Sequence, residues 1–414
     1  MLAGIRLTSI VLLSLALFAH AGLIRRSTSP VTLALTKQFN LTGATKIIDL
    51  DRARARALKA RANANSGGAQ QTGSFNVPAV NQAVYYSTIV GIGNPPKNFT
   101  LLIDTGSSNT WVGAQPNNLF LPTTSKPTGD TVEIMYGSGQ FAGMEYTDTV
   151  HLGGIAIANQ GFGGAVLTNG FGGIDGILGI GPVGLTCGTL SPHKSECVPT
   201  VPDNAFKQGL ISARKVGISF APATSPDAAN GELTCGGTDS SKFTGALTDV
   251  PITSTSPASH YVGIDQTISY GDADRVILAS TAGIIDTGTT LLLIATDAFN
   301  TYQTLTGAEL DNATGLLRLT PAQFGNLRSL LFTIGGTPFE FTPNAQAWPR
   351  ALNTALGGSP DYVYLIVADL GSHSGQGLDF INGMSFLERF YHVYDSANNR
   401  VGFATTQYTY ATTN

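Results

Sequence analysis

Two aspartates in matching surroundings are the residues of this chain whose type and repetition point to chemistry. Asp104 lies in LLIDTGSSNTWV (101–112) and Asp286 in GIIDTGTTLLLI (283–294); each ends an apolar run and precedes Thr-Gly and two hydroxyl residues. A pair in the same local frame is expected to face one another. Two carboxylates held close cannot easily both ionise, so they share a proton and titrate together. The charged member can draw a proton from water while the protonated member polarises a carbonyl, and the roles exchange as the leaving group is protonated. Such a site needs no metal and no covalent enzyme intermediate. Because the shared proton must be retained, activity is expected at acidic pH.

The neighbouring residues suit a paired site. Leu101–Ile103 and Ile284–Ile285 read as buried strand ends. Gly106 and Gly288 allow a turn where a side chain would strike neighbouring backbone. Thr105 and Thr287 can hydrogen-bond across an interface, and Ser107 and Thr289 can reach the carboxylates beside them. Each half also carries a later apolar-glycine segment, DGILGIG (175–181) and DFINGMSF (379–386). About 340 residues exceed what one core usually supports, so two lobes are expected with the site in the cleft between them.

The elements that must position the pair read as mainly β. Short segments punctuated by Gly, Pro and Asn include YYSTIVGIG (85–93), NFTLLID (98–104), VEIMYGSGQFAGMEY (132–146) and AIANQGF (156–162). Helical signals are few. Thr296-Asp297 opens a helix that Gly307 closes, and Thr320-Pro321 predicts an N-cap and first-turn proline for PAQFGNLRSLL. The lobes are assigned to 73–247 and 248–414, with the boundary in FTGALTDVPI (243–252).

Composition agrees: of 414 residues, 42% are hydrophobic and only 12% charged, with 49 Gly and 20 Pro, which favours strands and tight turns over long surface helices. Arg6, the apolar run Ile10–Phe18 and Ala19-His20-Ala21 make residues 1–21 a secretory signal cut near Gly22, which implies a secreted, extracellular protein. The C-terminal TTQYTYATTN lacks an apolar tail, so no membrane anchor is expected. Residues 22–70 carry net +7 and residues 71–414 net −12, so a basic arm is joined to an acidic body. On a secreted chain the body is a better partner for that arm than nucleic acid. KIIDLDRARARALKAR (46–61) predicts a helix and ANANSGGAQQTG (62–73) a flexible, cleavable linker, so 22–72 reads as a propeptide. Lys37, Lys46 and Lys59 are the candidates to reach the aspartates in the proform. Acid, by discharging carboxylates, should weaken the arm's hold.

The doubled I-D-T-G-[ST]-[ST], MYGSG (135–139) and DGILGIG resemble pepsin-like aspartic proteases, themselves a standard example of two carboxylates sharing one proton. ILGIGPVGLTCGTLSPH, GELTCGGTDSSKFTG and FINGMSFLERFYHVYD resemble the polyporopepsin-type enzymes of basidiomycete fungi, and the likeness covers essentially all of 73–414. The resemblance implies a bilobal pepsin-like fold and an aspartic-type endopeptidase made as a zymogen, with Asp104 and Asp286 as catalytic dyad. It implies that Tyr136 tips a β-hairpin flap, that Gly137 and Ser138 offer backbone to substrate, and that Trp111 turns its indole N–H toward the Tyr136 phenol. It further implies protein or peptide substrates, pepstatin-like inhibitors, the arm as intramolecular inhibitor, no cofactor, and action as a monomer. Some fungal relatives place an aspartate at the position of Ser138 and accept lysine at the cleaved bond; serine implies a preference for bulky apolar residues instead.

The chain departs from the family at Asn382-Gly383-Met384, where many members have Leu-Gly-Asp, but the glycine is retained. Three cysteines leave at least one unpaired. Cys187 and Cys197, which bracket a Gly- and Pro-containing loop, are the expected disulfide, worth about 2–3 kcal/mol by loop closure; pairing of Cys235 with either stays open. The six histidines form no ligand motif, so no metal is expected. Asn312 and Asn98 head glycosylation triplets in the body and Asn40 heads one in the arm. Two rival readings are a binding protein that keeps the fold without hydrolysis and a glycosidase, which also uses two carboxylates. Both aspartates, both turn glycines and Tyr136 argue against the first, and the Thr-Gly turns and YGSG hairpin against the second.

Overall fold

The computed structural model describes residues 29–39, 46–65, 84–137, 139–223, 225 and 228–413. The signal segment 1–21, the Asn40 triplet, Ser138 and linker residues 66–73 lie outside them.

Strands dominate the described residues, in sheets of fourteen, seven and three strands, giving the bilobal pepsin-like architecture. In the first half, β1 (Val31–Phe39) lies between β2 (Val84–Ile92) and the strand Ala228–Cys235, antiparallel to both. Its inward positions are Val31, Leu33, Leu35 and Lys37, the two-residue alternation of a half-buried strand. β2 turns back into β3 (Lys97–Asp104), whose last residue is the first aspartate. β3 runs parallel to β8 (Gly176–Gly179), β8 antiparallel to β4 (Thr110–Val112), and β4 parallel to β7 (Ile155–Asn169). A hairpin of β5 (Lys126–Tyr136) and β6 (Gly139–Leu152) completes this layer.

The second half repeats the pattern. Val276–Ile285 runs parallel to Phe380–Asn382, which is antiparallel to Leu292–Ile294, itself parallel to Val367–Asp369. Each aspartate therefore emerges from a central strand held on one side by a parallel partner. Thr244–Pro251, in the expected boundary, does not hang free: it pairs with Arg400–Thr405 and so joins the fourteen-stranded sheet.

Two helical expectations are corrected. The helix from Pro321 stops at Phe324, although Thr320 and Gln323 form a complete capping box; Gly325 ends it and Leu330–Ile334 is a strand. Leu330 and Leu331, at the end of the expected helix, pair instead with Tyr270 and Ser269, and sheet pairing outweighs the local helix signal. In the arm, α1 runs from Ile47 to Asn65, past the Arg61 limit and into the expected linker. The helix Thr296–Thr306 does close on Gly307, which has φ +65°. Cys187 and Cys197 are bonded, while Cys235 is free and buried in its strand.

Candidate active site

Matching Asp-Thr-Gly turns follow β3 and the strand Val276–Ile285, and they lock onto each other through their threonines. The Thr105 hydroxyl donates to the Ile285 carbonyl at 3.1 Å and accepts from the Thr287 N–H at 3.0 Å. Thr287 reciprocates, donating to the Ile103 carbonyl at 2.8 Å and accepting from the Thr105 N–H at 3.0 Å. Four buried hydrogen bonds thus clamp the two halves and aim both carboxylates into one space.

Each carboxylate is oriented by its own turn. Asp104 Oδ1 accepts from the Gly106 N–H at 2.9 Å and Oδ2 from the Ser107 hydroxyl. Asp286 Oδ1 accepts from the Gly288 N–H at 3.0 Å and Oδ2 from the Thr289 hydroxyl at 2.6 Å. Both aspartates are fully buried. The glycines act differently from the sequence expectation. Neither has a left-handed backbone, and a Cβ on Gly106 would meet Asp286 Oδ1 at 2.6 Å, one on Gly288 Asp104 Oδ1 at 2.8 Å. Their role is to let the opposite carboxylate, and the Arg54 guanidinium at 2.6 Å from the Gly106 Cβ position, approach, not to spare backbone.

The arm's α1 enters this space. Its buried positions Ile47, Asp51, Arg54, Leu58 and Ala62 recur every three or four residues, one face of a helix, with Ile48, Leu50 and Ala55 buried beside them. Arg54 Nε donates to Asp286 Oδ2 at 2.6 Å, and Nη2 donates to Asp104 Oδ1 at 2.5 Å and Asp286 Oδ1 at 2.8 Å. One nitrogen bonding both Oδ1 atoms places those oxygens within about 5 Å of each other. None of the expected lysines is there. Lys37 pairs with Glu388, Lys46 donates to the Asn312 carbonyl and Lys59 to the Ser372 hydroxyl. The residue that meets the aspartates is an arginine, whose planar fork can bond two carboxylates at once.

Electrostatics split the pair. Burial, reinforced by Asp286, holds the Asp104 carboxyl above its ordinary range despite Arg54. At Asp286 burial also pushes upward, but the Arg54 charge and hydrogen bonds, with those of Thr289 and Gly288, win and hold it low. One turn earlier on α1, Asp51 accepts from the N–H groups of Leu291 at 2.8 Å and Thr290 at 3.2 Å. Burial still pushes its carboxyl up to about 7.

The hairpin tip lies across α1. Trp111 Nε1 donates to the Tyr136 hydroxyl at 2.9 Å, and the indole stacks on Phe141 with ring centroids 4.4 Å apart. Phe171 stands edge-on to both Trp111 and Tyr136. A Cβ on Gly137 would fall 1.9 Å from the Arg54 Cα, so only glycine admits the helix at this point. Further along, the Tyr261 hydroxyl donates to the Leu58 carbonyl at 2.7 Å and Arg61 to the Leu185 carbonyl. Sequence reasoning missed Arg54, Asp51 and Tyr261. The one available signal was that Asp51 and Arg54 share the apolar face of α1, where polar groups need partners.

A model of the eukaryotic aspartyl protease family matches residues 85–406. The chain belongs to that family. It is similar to polyporopepsin of Irpex lacteus, at 61% identity over 82% of this chain and 99% of that protein. Similarity extends to pepsin A of Sus scrofa, at 31% identity over 77% of this chain and 80% of that one. The crystal structure of an aspartic proteinase from Irpex lacteus superposes with a TM-score of 0.78 at 60% identity, over 80% of this chain and 96% of that one. This member is thus a pepsin-like aspartic endopeptidase. At its departure from the usual Leu-Gly-Asp, Asn382 exchanges two hydrogen bonds with Gln266 and Met384 is buried, so the change is absorbed within the lobe. Among the described residues no helix is long and apolar enough to cross a membrane.

Proposed function

We propose that this aspartic endopeptidase is secreted as a zymogen, with Asp104 and Asp286 as its catalytic dyad and residues 22–72 as a propeptide that blocks them. The observation that carries the proposal is the Arg54 guanidinium, bonded to both buried carboxylates from a helix that precedes the matched family region. A cation seated where two carboxylates converge occupies the space that water and a substrate carbonyl would need. Lys37–Glu388 and Arg52–Asp369 hold the same arm to the body, in keeping with its opposite net charge.

With the arm removed, the two carboxylates lose their cation and must share a proton instead. The ionised one takes a proton from water, whose oxygen attacks the peptide carbonyl; the protonated one donates to the carbonyl oxygen. Collapse of the tetrahedral intermediate breaks the C–N bond as the amine is protonated, yielding an acid and an amine. Ser107 and Thr289 hold the outer oxygens, and the Gly106 and Gly288 N–H groups the inner ones, so charge can move between carboxylates with little reorganisation. Tyr136, held by Trp111 against Phe171, closes the flap side, and Gly137 and Ser138 supply flap backbone to substrate. The aromatic wall and a serine at 138 suit bulky apolar residues at the cleaved bond.

Hydrolysis of denatured haemoglobin between pH 2 and 7, with and without pepstatin, tests this reading beside Asp104→Asn and Asp286→Asn. The expected result is an acid optimum abolished by the inhibitor and by either substitution. Cleavage that persists in both variants would place the chemistry elsewhere. No cleavage at any pH, after verified removal of residues 22–72, would mean a protein that binds without hydrolysing.

A further inference from the structure

The rim of the C-terminal lobe beside α1 contains a carboxylate whose surroundings suit a guanidinium. Asp369 ends the strand Val367–Asp369, and its Oδ1 accepts from the Thr296 hydroxyl at 2.6 Å and the Gly371 N–H at 2.8 Å. Both donors belong to the same lobe, so the carboxylate plane is set without help from the arm. The remaining acceptors face α1: Oδ2 takes Arg52 Nη2 at 2.6 Å and the Asp369 backbone carbonyl takes Arg52 Nε at 2.7 Å. A two-pronged acceptor of this kind fits a planar fork better than the point charge of an ammonium. Lys59 on the same helix finds only a serine hydroxyl there. Asp369 is 18% exposed and Arg52 31%, so the contact lies at an accessible edge, unlike the buried Lys37–Glu388 pair.

We propose that in the mature enzyme Asp369 forms a subsite selective for arginine, filled in the zymogen by Arg52. The proposal rests on the reading of the arm as a removable propeptide. Once Arg52 leaves, a preset acceptor pair remains at the edge of the cleft. Arg52 and Arg54 stand two residues apart on one helix, and the reach of both side chains with their hydrogen bonds puts Asp369 within about 25 Å of the dyad. That is no more than about eight extended residues from the scissile bond. The subsite would therefore add selection for a cation at a distance from the apolar residues at the cleavage point.

The test is a peptide series with one apolar scissile bond, in which a single arginine is walked through about eight positions on either side. Each peptide is paired with its citrulline analogue, which keeps the shape and loses the charge. With mature enzyme at pH 5, one or two adjacent positions are expected to show kcat/KM at least fivefold higher for arginine. That ratio should fall toward one in Asp369→Asn, whatever the variant's absolute rate, and should also fall in wild type as NaCl rises from 20 to 500 mM. A ratio near one at every position in wild type, or one that survives Asp369→Asn, would overturn the proposal. Failure of the underlying protease reading would look different: neither peptide of any pair would be cleaved.

Discussion

Replacing Arg54 by Gln in the full-length chain should loosen the arm without unfolding the body. The side chain is 5% exposed and its three hydrogen bonds go to two carboxylates with no exposure. Removing one partner of a buried ion pair costs about 3–5 kcal/mol, because the remaining charge is left uncompensated. At about 1.4 kcal/mol per tenfold, the docking equilibrium of α1 should fall by about two to three and a half orders of magnitude. Ile47, Ile48, Leu50 and Leu58 remain buried in the variant and contribute about 1.5–3 kcal/mol each, so the arm should still spend most of its time docked. Hydrogen exchange at pH 6.5 then reads the loss directly, as reduced protection of the α1 amides, 47–65. The pH dependence should change as well. Asp286 is held low by Arg54, so its contribution to docking is present above its undocked pKa and is lost as pH falls through the depressed docked value. Asp51 has the opposite sign: raised to about 7, it favours docking below its ordinary pKa and loses that contribution as pH rises through 7. Asp104, also held above its ordinary range, has the sign of Asp51, so acid release draws on the bonds of Arg54 to Asp286, and Arg54→Gln should release less steeply on acidification. Protection of α1 within threefold of wild type would refute the argument and leave the apolar face as the sole anchor.

Other perturbations follow from buried groups and from the flap. Burial pushes His392 down to about 3, so the fold favours neutral imidazole; that stability is present above 6.5 and is lost as pH falls toward 3. His392→Phe should therefore raise the melting temperature of the mature enzyme more at pH 3 than at pH 6.5, by up to about 4 kcal/mol of differential stability; equal shifts at both pH values would contradict this. Burial, with Asp130 nearby, pushes Glu145 of the flap hairpin up to about 8, so its stability is full below 4.5 and is lost as pH rises through 8. Glu145→Gln should move the neutral-to-alkaline unfolding midpoint, followed by near-ultraviolet circular dichroism, to higher pH. Trp111→Phe keeps the stacking on Phe141 but removes the donor to Tyr136, and one neutral hydrogen bond predicts about a three- to tenfold loss in kcat/KM. Tyr136→Phe should cost little more when added to Trp111→Phe than that variant loses alone, and full additivity would mean that the bond does not position the flap.

The parts of this molecule legible in the sequence are those whose physics is local or duplicated. The two aspartate turns could be read because every residue in them has a short-range task, and repetition supplied the long-range partner. The strands around them showed in their apolar runs. Pro321–Phe324 was legible at its start, where Thr320 and Gln323 act within four residues, and not at its end, where sheet pairing of Leu330–Ile334 decides. The occupant of the dyad was illegible for a related reason. In RARAR the arginines recur every second residue, whereas a helix turns once in 3.6, so Arg54 points away from the face that Arg52 and Arg56, four residues apart, share. In the fold one meets Asp369 at the rim, one meets both buried aspartates and one is left exposed. Which of them turns inward depends on how the face of Ile47, Asp51 and Leu58 seats in the cleft. That seating depends in turn on two distant glycines, at 106 and 288, that leave the guanidinium room. Composition predicts a basic arm against an acidic body, and only the packing of the helix decides that the cation at the aspartates is the Arg54 guanidinium; because acid discharges no cation, it must act on the carboxylates.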